Sequence, residues 1–149
     1  MSLRRTKSPP SREKRTALLR ERLRSAGLRT TLPRIEVLSR LDGASSPLSH
    51  ADLAQQLVPL GFDRATVYRN LNDLVEADLA TRVDVGDHVW RFESRREDTA
   101  RAREHPHFLC NDCGDVVCLP GLAIPSRGKA DARIGDIQDV VLRGRCASC

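Results

Sequence analysis

"FDRATVYRNLNDLVEADLATRVDVGDHVWRFE", residues 62–93, changes its hydrophobic period part-way along. In the first half Val67, Leu71, Leu74 and Val75 recur at helical spacing, and Asp63 stands where an N-cap belongs. That half predicts a helix. From Thr81 the residues alternate in two runs around Gly86-Asp87, which predicts a β-hairpin, although Gly-Asp is a weaker turn pair than Asn-Gly.

Toward the N-terminus the same signals repeat. "SHADLAQQLVPLG" (49–61) offers Ser49 as N-cap with Asp52 three residues on, close to a capping box. "TTLPRIEVLSRL" (30–41) offers Thr31 as N-cap, Pro33 in the first turn, and Ile35, Leu38 and Leu41 as one face. From Arg15, Ala17, Leu18, Leu19, Leu23 and Ala26 follow helical spacing until Gly27. Four helices followed by a hairpin predict a mainly α winged helix-turn-helix domain over 15–93. Leu48–Leu60 would be the supporting helix and Arg64–Ala77 the reader. Residues 1–14, with Ser-Pro-Pro at 8–10 and no apolar period, read as a disordered basic arm.

Charge agrees with that layout. The 149 residues carry a formal +5, but residues 1–34 hold 11 Lys/Arg against 2 Asp/Glu, so the rest is net negative. A basic end suits nucleic acid, whose phosphates release counterions to Lys and Arg, and it equally suits a solvated tail. No apolar run is long enough to cross a bilayer, and no apolar stretch follows the basic N-terminus as in a secretory signal. The expected compartment is the cytoplasm, with no membrane partner. Five cysteines there favour metal ligation over disulfides.

Residues 94–104 read as a hinge or linker. Beyond them "HFLC", "VVCLP" and "IQDVVLRGRC" are short strand candidates, and 126–136 has room for at most a short helix. A unit of this size, 105–149, needs more than packing to fold. Its cysteines supply the means. Cys110-x-x-Cys113 recurs as Cys146-x-x-Cys149, and two such knuckles are what one tetrahedral zinc requires. A closed four-sulfur site has no open position and is structural. Neither pair lies in the βαβ context of a redox motif. Cys118 falls outside the set, in an apolar run, and reads as a small buried hydrophobe. His105 and His107 share a face of an extended segment, where they can chelate one ion, though surface chance explains such a pair as well.

Together, "AGLRTTLPRIEVL", "DRATVYRNLNDLVEADLA", "HPHFLCNDCG" and the closing "CASC" resemble the ferric uptake regulator (Fur) family of bacterial metal-responsive repressors, over nearly all of the chain from about residue 18. The resemblance implies a winged-helix DNA-binding domain and a small α/β C-terminal dimerisation domain with a four-cysteine zinc site. It implies that Thr66, Tyr68 and Arg69 enter the major groove, that Arg64 adds a phosphate or base contact, and that Arg29 approaches the minor groove. Their chemistry suits this: Arg pairs with guanine or phosphate, and a Tyr ring packs on a thymine methyl.

The resemblance also implies a second, regulatory divalent ion, Fe2+, Mn2+ or Zn2+, held by Glu93, His105 and His107. The family's further histidine before the third helix is replaced here by Pro47. His50 is then the expected fourth ligand, with His88 in reserve. A third, His/Asp-rich site has no counterpart here. The implied function is a homodimeric, metal-dependent repressor of palindromic DNA operators. A peroxide sensor of the same family is one alternative. A zinc-ribbon module binding RNA or protein is another, which the reader helix and wing disfavour. No nucleophile–base pair or phosphate-cradling glycine loop suggests an enzyme.

Overall fold

Caps and buried stripes set the helices. The computed structural model describes residues 11–96, 105–122, 131–135, 137 and 139–149. Helix α1 (Arg12–Ser25) starts from Ser11, whose hydroxyl accepts from the Lys14 amide. It therefore begins three residues before the apolar period does, inside the stretch expected to be a disordered arm; residues 1–10 of that arm lie outside the described residues. Helix α2 (Leu32–Gly43) starts after Thr31, but the Thr31 side chain makes no capping bond. Helix α3 (His50–Leu57) has the reciprocal box. The Asp52 amide donates to Ser49 Oγ at 3.1 Å, and the Ser49 amide to Asp52 Oδ2 at 2.8 Å. A 3-10 turn, Val58–Leu60, follows. Helix α4 (Arg64–Glu76) is capped by Asp63, which accepts from the Thr66 amide at 2.8 Å.

These helices bury Leu23, Leu38, Leu41, Leu53, Leu57, Val67, Leu71 and Leu74 in one core, closed by Ala80 and Phe92 of the hairpin. Leu18, expected on the α1 core face, is instead 60% exposed. The buried stripe runs through Leu19 and Leu23, and one residue away is about 100° around the helix.

The hairpin strands are β2 (Ala80–Val83) and β3 (Arg91–Ser94), antiparallel with Val83 opposite Arg91. A two-residue strand β1 (Leu48–Ser49), too short to show a period, joins the other side of β3. The predicted two-residue turn at Gly86-Asp87 is wrong: residues 84–90 form a longer loop. Side chains build it. Asp84 accepts from the Gly86 amide at 2.7 Å, and Asp87 accepts from the Val89 amide and from Arg91. With α3 and α4 ahead of it, this hairpin completes a winged helix-turn-helix.

The second unit has β4 (His107–Cys110), β5 (Val116–Cys118) and β6 (Val141–Gly144) in the order β5-β4-β6. Strands β4 and β5 are antiparallel, β4 and β6 parallel. Residues 131–135 make a turn rather than a helix, and 123–130 lie outside the described residues. No helix is found among the described residues of 105–149, so the α part of the expected α/β unit is not seen there.

The hairpin also packs against the second unit. Val83 and Val85 of the hairpin pack with Leu109, Val116 and Val141 of the second unit in a separate cluster. Arg143 donates to the Val85 carbonyl at 2.7 Å and lies so close over Gly86 (φ +78°) that a Cβ there would sit 2.6 Å from its guanidinium. Residues 94 and 95 are tied to the helical unit. Ser94 is buried and bonds Asp42, Arg22 pairs with Asp42 at 2.6 Å, and the Arg95 amide donates to the Leu79 carbonyl. Residues 97–104 lie outside the described residues. Among the described residues, no helix is long and apolar enough to cross a membrane.

Leu71, fully buried where α4 meets the core, tests this packing. Leu71→Ala should lower stability by about 2–5 kcal/mol, read as a lower urea midpoint of the helical signal.

Candidate metal centres and nucleic-acid face

Parallel pairing of β4 with β6 brings two distant cysteine pairs together. Cys110 ends β4 opposite Gly144, and the Asn111 amide donates to the Gly144 carbonyl at 2.8 Å. Both chains leave the sheet at the same edge and turn sharply. At the first knuckle the Gly114 amide returns to the Cys110 carbonyl at φ +75°; at the second the Cys149 amide returns to the Cys146 carbonyl. The four sulfurs of Cys110, Cys113, Cys146 and Cys149 lie within 4.8 Å of one another. Close pairs stand at 3.8 Å (Cys110–Cys149), 3.7 Å (Cys113–Cys146) and 3.4 Å (Cys146–Cys149).

A tetrahedron with Zn–S arms of ~2.3 Å has edges of about 3.8 Å, so the group fits such an ion. The electrostatics agree. Amides of Cys113 and Cys146 directed at its sulfur lower the Cys110 thiol to about 6, while hydrogen bonding to Cys146 and Cys113 pushes the Cys149 thiol up to about 12. Four thiolates in this space need a cation between them.

A second group forms where the hairpin meets β4. Glu93 of β3 faces His105 and His107, with Nε2 of each imidazole 3.3 and 3.5 Å from Glu93 Oε2. The two rings stand 4.7 Å apart by centroids. Cys118 completes it. Cross-strand pairing sets Cys118 opposite His107, and its thiol donates to Glu93 Oε2 at 3.5 Å. All four donor atoms lie within 4.8 Å. The expectation that Cys118 is only a packed hydrophobe is corrected. Burial raises the Glu93 pKa, but the hydrogen bond from His107 and the charges of His105 and His107 outweigh it, leaving the carboxyl below its ordinary value. Two imidazoles, a carboxylate and a thiol, largely screened from water, are a donor set for a divalent ion.

His50 and His88 are not brought to this group. His50 Nε2 donates to the Arg64 carbonyl at 2.9 Å, and its ring meets that of Tyr68 edge-on at 5.5 Å. His88, in the loop at φ +63°, lies across an open cleft of about 330 Å³ that His50, Tyr68, Arg82 and Trp90 also line.

That cleft borders the exposed face of α4, through Tyr68. Arg64, Tyr68 and Arg69 are exposed on α4, opposite its buried stripe. Thr66 is half-buried, and its hydroxyl donates to Asp63 at 2.8 Å and accepts from Arg69 at 3.2 Å, so it orients Arg69. Arg29 is exposed between α1 and α2, its carbonyl accepting from Arg34. Arg82 and Trp90, not expected from the sequence, extend the face: Arg82 sits 5.8 Å over the Trp90 ring and donates to Asn72. An isolated exposed Trp next to a hairpin turn was the available signal.

Comparison with known proteins follows this geometry. A sequence model described as the Ferric uptake regulator family matches residues 25–133. The ferric uptake regulation protein of Vibrio vulnificus (strain CMCP6) is 32% identical over 133 residues, covering 83% of this chain and 85% of that protein. The Vibrio cholerae ferric uptake regulator structure aligns at TM-score 0.65 with 29% identity, over 85% of this chain and 98% of that one. The Pseudomonas aeruginosa ferric uptake regulator, solved with manganese, aligns at TM-score 0.60 with 27% identity, over 87% and 98%.

If the four sulfurs hold one shared ion, Cys110→Ser and Cys146→Ser should each abolish its retention. Elemental analysis after chelator dialysis would show about one ion fewer per chain, with loss of the β4–β6 structure.

Proposed function

The chain belongs to the ferric uptake regulator family of transcriptional regulators, and we propose that it is a metal-dependent repressor, binding palindromic operators as a homodimer. In this reading Cys110, Cys113, Cys146 and Cys149 hold one structural zinc. Glu93, His105 and His107, with Cys118, hold the regulatory divalent ion. His50 and His88 serve the reading face instead.

One observation carries the reading: the regulatory donors come from two units. Glu93 lies on β3, continuous with the wing, whereas His105 leads into β4 and Cys118 ends β5. Drawn together, these side chains tie the hairpin to the second unit. They add to what Val83, Val85 and Arg143 already contribute there. A bound ion would supply the positive charge that holds the carboxylate, thiolate and imidazoles in one place. Its effect on DNA affinity is bounded by how much more strongly these residues hold it in the DNA-competent arrangement than in the alternative.

On its exposed face, α4 presents Arg64, Tyr68 and Arg69 to the major groove. Arg29 and the wing residues Arg82 and Trp90 flank it. In a homodimer, two such faces one helical turn apart would match a palindrome. A regulator of this kind works in the cytoplasm.

The test is operator binding by the full chain with and without divalent metal. Binding to a palindromic AT-rich duplex should require added metal. His105→Ala with His107→Ala should remove that requirement's effect, leaving weak, metal-insensitive binding. Normal binding and repression by the double variant at every metal concentration would sink the proposal. Arg69→Ala should weaken operator binding about tenfold or more while leaving metal content unchanged.

A further inference from the structure

Two imidazoles and a carboxylate hold iron, manganese and zinc about equally well in type, so Glu93, His105 and His107 leave the ion's identity open. Cys118 breaks the tie. We propose that Cys118 is the specificity-determining ligand of the regulatory site and makes it select Zn(II) over Fe(II) and Mn(II). The inference rests on the reading that Glu93, His105 and His107 hold the regulatory ion.

Three observations support it. First, the sulfur is placed by the sheet rather than by chance: β4–β5 pairing sets Cys118 opposite His107, and its Sγ lies 3.5 Å from Glu93 Oε2. A thiolate is a soft donor, favouring zinc over manganese and ferrous iron; the hard carboxylate beside it disfavours copper(I).

Second, the set numbers four, with all donor atoms within 4.8 Å, the two histidines buried and Glu93 and Cys118 partly so. The His105, His107 and Glu93 side chains are 3%, 10% and 12% exposed. Four protein donors complete a tetrahedron, the geometry zinc adopts. The screening leaves little access for the waters that would fill an octahedral shell.

Third, the charges balance. One carboxylate and one thiolate neutralise a divalent ion where an excess charge would be costly to bury.

The test uses the full chain with zinc left in the four-cysteine group. Zn(II), Mn(II) and, without oxygen, Fe(II) are competed at the second site in the wild type, Cys118→Ser and Cys118→Asp. A second Co(II) ion serves as the spectroscopic probe. The wild type should prefer zinc, and its second cobalt should show thiolate-to-metal charge transfer with intense tetrahedral bands. Both variants should lose the sulfur band, and the zinc-to-manganese affinity ratio should fall at least about tenfold in Cys118→Asp.

Unchanged ratios and spectra in both variants, in a chain where His105→Ala abolishes second-ion binding, would overturn the selectivity claim alone. Second-ion binding that survives His105→Ala would overturn the underlying reading. If either Cys118 variant unfolds, the wild-type cobalt spectrum decides: no sulfur band, no Cys118 ligand.

Discussion

Four sulfur atoms crowded within 4.8 Å at one edge of a three-stranded sheet are the constraint on which the second unit depends. Strands β4 and β6 run parallel, so both cysteine pairs leave at the same edge, and only a cation lets their thiolates share the space. That lock fixes β4, and β4 does the rest. His105 leads into it and His107 opens it, its antiparallel neighbour carries Cys118, and its apolar residue Leu109 meets the hairpin that carries Glu93. The two groups of donors are thus serial along one strand, one closing an end of it and the other facing the neighbouring unit.

The helical unit answers to a different force. Its core is aliphatic, with Phe92 the large exception, and three of its four helices are set by side-chain caps, at Ser11, Ser49 and Asp63. A tightly packed base leaves α4 free to present Arg64, Tyr68 and Arg69 outward. Thr66 supports this from beneath, because its hydroxyl links the cap Asp63 to Arg69.

Much of this was legible in residue order. The helix starts at Ser49 and Asp63, the α4 stripe and the paired knuckles follow from local rules. The grouping of Glu93 with His105 and His107 came from family resemblance. What escaped needed pairing partners. Strand β1 is two residues long and exists only because β3 accepts it. The wing loop is longer than its turn residues suggest, because Asp84 and Asp87 bond local amides and Val85 is drawn into another unit's core. Cys118 looked like filler. Yet a hairpin folded symmetrically about the first knuckle pairs Leu109 with Val116 and His107 with Cys118, so the register implied by that knuckle would have revealed it. His50 was expected at the metal in place of the family histidine that is Pro47 here, with His88 in reserve, whereas both line the cleft beside Tyr68 and Trp90.

The hairpin's divided packing has a consequence for how this sequence can drift. Ala80 and Phe92 are buried among the helices, whereas Val83 and Val85 are buried against Leu109, Val116 and Val141. A change of side-chain volume at position 85 must be matched at 109, 116 or 141, because interiors this dense do not absorb an extra methylene freely. Gly86 is bound in the same way, since Arg143 occupies the space its side chain would need. Loop positions at a hairpin tip ordinarily vary freely. Here Val85, Gly86 and Arg143 can change only in concert, across positions more than fifty residues apart in the chain.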